Sequence, residues 1–307
     1  MEFGLGALAA VGATFFTNPI EVLKTRFQLQ GELQQRGQYG VHYRNILHAG
    51  YVIVKTEGLH GLQKGLVPSL GHQILMNGVR LGGFNYLAEE KKLNLRSNGE
   101  ISFLRTAAIG AVTGVVSAYT GSPFYLVKVR MQAQTTEAIA VGTQHKVGGT
   151  ADALRQIWRN EGITGLWRGS NGSAPRLAVA SAFQLSTFSL SKEYIAKNKY
   201  YPIEYGLLNS FLASFLGGLV IAVTMNPFDV ISTRLYNQGV DAHGRGLIYS
   251  SYFDCVSKMW KTERFSGYYK GIVPGFLRIG PHTMLSLIFW DKLKDLRRKY
   301  FSKDSQY

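Results

Sequence analysis

Pro19, Pro123 and Pro227 stand at equal intervals of 104 residues, each closing an apolar stretch and opening a charged one. The text after them reads Pro19-Ile20-Glu21-Val22-Leu23-Lys24-Thr25-Arg26, then Pro123-Phe124-Tyr125-Leu126-Val127-Lys128-Val129-Arg130, then Pro227-Phe228-Asp229-Val230-Ile231-Ser232-Thr233-Arg234. A second marker follows in each unit: Glu57-Gly58 to Lys64-Gly65, Glu161-Gly162 to Trp167-Arg168-Gly169, and Glu263-Arg264 to Tyr269-Lys270-Gly271. A fixed period constrains architecture more than local propensity does, because every unit must be a copy of one supersecondary structure. The 307 residues therefore divide into repeats 1–100, 101–203 and 204–307, expected to form one integrated domain.

The mean hydropathy of −0.02 hides a strong segregation. Phe3 to Ile20, Thr106 to Val127 and Tyr205 to Phe228 contain no charged residue, and each is long enough to cross, or nearly cross, a bilayer. A second apolar segment in each repeat is interrupted by an arginine: Arg80, Arg176 and Arg278. The pattern predicts six long helices, about 4–30, 68–94, 102–134, 173–197, 204–238 and 273–299. Short amphipathic helices are expected between the pairs at about 44–57, 147–160 and 250–262, with apolar positions at helical spacing. Stretches 31–42, 135–146 and 239–249 read as loops and as the most mobile segments. Small residues four apart on the first helix of each repeat, Gly6 and Ala10, Gly110 and Gly114, Ser214 and Gly218, suit close helix packing in lipid. The prolines are expected to break these helices and bend them inward.

A net charge of +15 suggests either nucleic acid or a membrane surface. Its placement, flanking the apolar segments and recurring at Lys55, Lys146, Arg155, Lys258 and Lys261, favours the membrane and the positive-side rule. No helix-turn-helix or zinc pattern accompanies it, so no nucleic-acid partner is expected. The lone Cys255 excludes an internal disulfide and reads as a packed thiol. No nucleophile-base pair, metal cluster or phosphate-cradling loop points to an enzyme, a metal or a cofactor. Met1-Glu2-Phe3-Gly4 runs into the first apolar segment without a basic leader, so any targeting is expected to be internal.

The paired markers, present three times in register, resemble the mitochondrial carrier family. Its signature is Pro-x-Asp/Glu-x-x-Lys/Arg-x-Lys/Arg followed by an acidic-Gly and an aromatic-basic-Gly element. The resemblance implies an all-α membrane protein: six transmembrane helices in a pseudo-threefold barrel with short matrix helices, monomeric, in the mitochondrial inner membrane, with both termini toward the intermembrane space. It also implies a matrix gate in which the acid of one repeat pairs with the base of the next. Carried onto this chain, Glu21 would face Lys128 and Asp229 would face Lys24. Tyr125 and Ser232 replace the acid and the base of the third pair and would meet through their hydroxyls, an exchange that leaves no orphan charge. Gln28 and Gln132 stand where family members brace these pairs, and Tyr236 replaces the third.

Twenty residues beyond the closing glycines lie Asn85, Ser189 and Asp291, the family's cytoplasmic gate, with Lys192 and Lys294 as its basic members. Only Asp291 is acidic, so this gate reads as weak. Thirteen residues before those marks stand His72, Arg176 and Arg278, at one depth, with Arg80 about 12 Å above His72 at 1.5 Å per residue. Charge inside a membrane is expensive and marks a binding site by default. Arginine offers a permanent planar fork for carboxylate, phosphate or sulfate. The resemblance places substrate contacts at these same positions and comes nearest to the oxaloacetate-carrier-like subgroup. The expected substrate is a small anionic metabolite, dicarboxylate, oxaloacetate-like or sulfate-like, moved by alternating access. The alternative is a proton or fatty-acid-anion leak of the uncoupling type. His72 and His282 are candidates for proton coupling or for helix packing. Lys64-Gly65, Arg168-Gly169 and Lys270-Gly271 precede helix starts, where the family holds cardiolipin.

Overall fold

The computed structural model describes residues 2–34, 40, 42–96, 99–181, 223–241 and 245–301. Among the described residues, nine α-helices of more than one turn are labelled in chain order: α1 Glu2–Leu29, α2 Ile46–Glu57, α3 Leu66–Asn85, α4 Phe103–Ala133, α5 Thr150–Gly165, α6 170–181, α7 223–237, α8 Tyr252–Tyr268 and α9 Ile272–Phe301. Among the described residues there is no strand, only the isolated bridges Leu95 to Ile101 and Val240 to Gly246. The chain packs α1 against α9, and α3 against α4. Among the described residues no helix is long and apolar enough to cross a membrane. The expected helices 173–197 and 204–238, and the pair Ser214 and Gly218, lie partly or wholly outside the described residues. Gly114 packs directly on α6, where an added Cβ would strike the Leu177 carbonyl.

The prolines do not break their helices. α1 and α4 run unbroken through Pro19 and Pro123, and 223–237 is helical through Pro227. Proline removes the amide that would serve the carbonyl four residues earlier. In the first repeat that carbonyl, Phe15 O, accepts from Gln63 Nε2 at 3.2 Å. In the second, Tyr119 O accepts from Trp167 Nε1 at 2.9 Å. Gln63 and Trp167 are the residues before the basic-Gly pairs, so in the first two repeats the second sequence marker repairs the backbone defect made by the first.

The short helices seat on the charged ends of the long ones in three matching ways. Ala49 and Ile53 pack with Val22 and Leu29; Ala153 and Ile157 with Leu126 and Val127; Cys255 and Met259 with Val230 and Leu235. The i, i+4 spacing puts each pair on one helix face. Cys255 thus fills the place of Ala49 and Ala153 as a packed thiol, and burial pushes it up to about 12. Asn45 and Ser251 cap α2 and α8 by accepting from His48 N and Asp254 N.

The residue after each acid turns the chain through positive φ: Gly58 at 71°, Gly162 at 70° and Arg264 at 54°. This is the physical content of the acidic-Gly marker, and the third repeat meets it with a side chain. The stretch 135–146, expected to be mobile, is packed instead. Ile139 and Val141 are buried, and Gln144 binds Thr135 N and the Ala133 and Val141 carbonyls.

Candidate functional site

Below each proline the charged residues of different repeats meet. Lys128 Nζ lies 2.6 Å from Glu21 Oε2, and Lys24 Nζ lies 2.5 Å from Asp229 Oδ2. Both acids are shared. Arg278 Nη1 reaches Glu21 Oε1 at 2.5 Å, and Arg176 Nη1 reaches Asp229 Oδ1 at 3.3 Å. A buried carboxylate held by two cations recovers much of the solvation it loses, which neither partner could supply alone.

Tyr125 and Ser232 do not form the expected hydroxyl contact, for Ser232 Oγ is buried with no hydrogen-bond partner. The Tyr125 ring is drawn to cations instead: Lys128 Nζ lies 5.6 Å and Arg176 Cζ 5.3 Å from its centroid. His72 and Tyr236 hold that ring at 4.9 and 4.8 Å. The glutamines do not brace the ion pairs either. Gln132 accepts from Thr25 Oγ1 at 2.8 Å and Gln28 from Thr233 Oγ1 at 2.7 Å, because each side chain lies against the neighbouring repeat's threonine. At the third such position Val129 replaces the threonine and Tyr236 the glutamine. Tyr236 Oη then turns to Ser122 and Ser173, both at 2.9 Å.

These groups enclose a cavity of about 110 Å³. Arg176, Arg278, His72, Tyr125, Lys24 and Lys128 line it together with Glu21 and Asp229. His72 donates through Nδ1 to the Gly121 carbonyl at 3.1 Å, a packing arrangement, and His282 Nδ1 sits 3.2 Å from Thr17 Oγ1. Arg80 is not part of the lining; it donates to Asn77 Oδ1 at 3.4 Å, one turn away on its own helix. Asn85 ends α3, half-buried. Ser189 and Lys192 lie outside the described residues, as do the side chains of Asp291 and Lys294.

Below the cavity the structure builds three clusters that the sequence reading quoted in pieces without joining. Arg26, Glu57 and Lys64 form one, with contacts of 2.7 and 2.6 Å to the acid. Arg130, Glu161 and Arg168 form the second, at 3.0 and 2.6 Å, and Arg234, Glu263 and Lys270 the third, at 2.5 and 2.6 Å. The side chains of Lys64, Arg168 and Lys270, read as lipid ligands, are thus committed to acids of their own repeat. Burial by itself would raise the Glu57 carboxyl, but hydrogen bonds from Arg26, Lys64 and Thr135 hold it down at about 2. The same cations reach across to the next repeat: Arg26 to the Gln132 and Gln134 carbonyls, Lys270 to the Gln30 and Gly31 carbonyls. Those carbonyls lie at or just beyond helix C-termini, where cations are favoured. Gly65, Gly169 and Gly271 stand where neighbouring repeats approach closely, since a Cβ at Gly65 would lie 2.9 Å from Gln132 Cγ and one at Gly271 2.9 Å from Gln28 Cγ. A spacing of 31, 31 and 29 residues between arginine and acid was the signal available for these clusters.

A family model described as mitochondrial carrier protein matches residues 1–92, 99–199 and 204–301. Solute carrier family 25 member 35 of Homo sapiens is 48% identical over 96% of this chain and 98% of its own length. The mitochondrial oxaloacetate transport protein of Saccharomyces cerevisiae is 36% identical over 96% of this chain and 89% of its own. The mitochondrial citrate transporter E of Aspergillus niger is 35% identical over 97% and 93%.

Proposed function

The chain belongs to the mitochondrial carrier protein family, as a multi-pass transporter of the mitochondrial inner membrane and not an enzyme, and from that premise we propose that it moves a small carboxylate-bearing anion by alternating access through the cavity over Glu21 and Asp229. In this reading six spans form a pseudo-threefold barrel around that cavity. The observation that carries the substrate reading is the pair Arg176 and Arg278. Each is a guanidinium facing the cavity with its charge already engaged on a gate carboxylate. An incoming carboxylate offers either arginine an equivalent partner, so it can take the place of Glu21 or Asp229 without leaving a buried cation bare. A ligand shifts a conformational equilibrium only by its differential affinity for the two states. Here that difference is the exchange of internal carboxylates for the substrate's.

Relatives named for oxaloacetate and citrate transport support a carboxylate as the cargo. Exchange of one anion for another follows from the same logic, since an empty cavity restores the internal pairs. Lipid phosphate, cardiolipin included, belongs in this reading at the amide groups of the α3 and α9 starts beside Gly65 and Gly271, the neighbouring basic side chains being committed elsewhere. The test is reconstitution of the full chain into liposomes with a panel of mono-, di- and tricarboxylates and sulfate on both sides. Saturable uptake of a carboxylate, abolished when Arg176 and Arg278 are both replaced by alanine, is expected. Proton conductance without uptake of any of these anions would overturn the reading.

A further inference from the structure

The geometry points to Tyr125 as a specificity-determining residue that preserves a surplus of two positive charges in the cavity and so selects a dianion over a monoanion of the same size, an inference that rests on the transport reading above. Among the described lining side chains charged at neutral pH, Lys24, Lys128, Arg176 and Arg278 face only Glu21 and Asp229. Each of those acids is already divided between two cations. Position 125 is the repeat equivalent of 21 and 229, and it is the one place in the ring where a third acid would stand.

The phenol ring occupies that place differently. Its face draws Lys128 and Arg176 to within 5.6 and 5.3 Å of the centroid, as an acid would, through the ring quadrupole. That attraction positions the cations without cancelling their charge. Ring contacts with His72 at 4.9 Å and Tyr236 at 4.8 Å fix the orientation. The repeat equivalent of Lys24 and Lys128 is Ser232, whose buried Oγ has no partner, so no base stands there to call for an acid. A dianion therefore brings the cavity to neutrality. A monoanion leaves one uncompensated charge inside the membrane, where charge is costly.

The experiment compares malonate with malonamate, its monoamide, which differ by one charge on the same carbon frame at nearly the same size, in proteoliposomes and in thermal melts of the purified full chain. The wild-type protein is expected to favour malonate by about tenfold or more in both readouts, since one charge at contact distance is worth at least that even near a protein surface. Y125F keeps the ring face and should keep the ratio. Y125D and Y125E lower the surplus to one and should each reduce the ratio by about tenfold or more. A merely structural role for Tyr125 would lower both anions alike and leave the ratio unmoved. The proposal is overturned if both acidic variants keep the wild-type ratio, or if the wild type takes both probes equally well. If the wild type neither binds nor moves any carboxylate, the transport reading falls with it.

Discussion

Arg278 and Glu21, 257 residues apart in sequence, meet at 2.5 Å through Nη1 and Oε1, while the other oxygen of the same carboxylate is held by Lys128. The group proposed to bind cargo and the group proposed to close the gate are therefore one hydrogen bond apart. Arg176 and Asp229 repeat the arrangement one repeat away.

This sharing makes guanidinium geometry matter beyond its charge. Lysine at 176 or 278 keeps the charge but loses the fork that can serve a gate acid and a substrate carboxylate together. A lost charge-assisted hydrogen bond is worth about 1.5–3 kcal/mol, so each of Arg176→Lys and Arg278→Lys should lower carboxylate uptake at least tenfold in proteoliposomes. Near-normal rates in both variants would assign these arginines to structure alone.

The repair of the proline defect predicts a coupling. Trp167→Phe leaves the Tyr119 carbonyl unserved and should cost about 0.6–2 kcal/mol, the range for hydrogen bonds in membrane helices. Pro123→Ala restores an amide to that carbonyl, so the same tryptophan change made in that background should cost almost nothing. Melting temperatures of the four proteins measure the coupling, and strict additivity would show that Trp167 is not compensating for Pro123.

Arg264 holds φ 54° and ψ −149°, a region that glycine holds in the other two repeats. Such a conformation costs a side chain about 1–3 kcal/mol. Arg264→Gly should therefore stabilise the protein, by about 1 kcal/mol once the greater entropy of the unfolded glycine is counted. A lower melting temperature for this variant would mean that the arginine makes contacts worth more than its strain.

Acid sensitivity should reside in the clusters beneath the gate. Burial opposes ionisation of Glu57, but its bonds to Arg26, Lys64 and Thr135 win and set it near 2, below the 4.5 of an ordinary carboxyl. Because the folded value is depressed, its contribution is complete above about 4.5 and is lost as pH falls toward 2. Glu57→Gln should lower thermal stability clearly at neutral pH, and the gap to wild type should close as pH falls through that window. A gap that stays constant with pH would remove Glu57 from the acid response.

The 104-residue period by itself determined which residues are equivalent, and with the resemblance it was enough to name Glu21 with Lys128 and Lys24 with Asp229 as facing pairs. Residues in the same register of a repeated helix sit at one depth, so charge complementarity chooses among few partners. It also marked Arg176 and Arg278, since arginine in an apolar segment needs a reason to be there. What only the tertiary structure decided was the partner wherever a side chain had several within reach. Lys64, Arg168 and Lys270 could serve lipid or acid, and the seating of the short helices on α1, α4 and α7 brings Glu57, Glu161 and Glu263 within 2.6 Å of them. Pro19 and Pro123 could break a helix or ride through it; both ride through it, and Gln63 and Trp167 serve the freed carbonyls. Tyr125 and Ser232 could have met through their hydroxyls, but the assembled cavity sets the Tyr125 ring beside Lys128 and Arg176 and leaves Ser232 Oγ without a hydrogen-bond partner, an arrangement that exists only once the repeats are packed together.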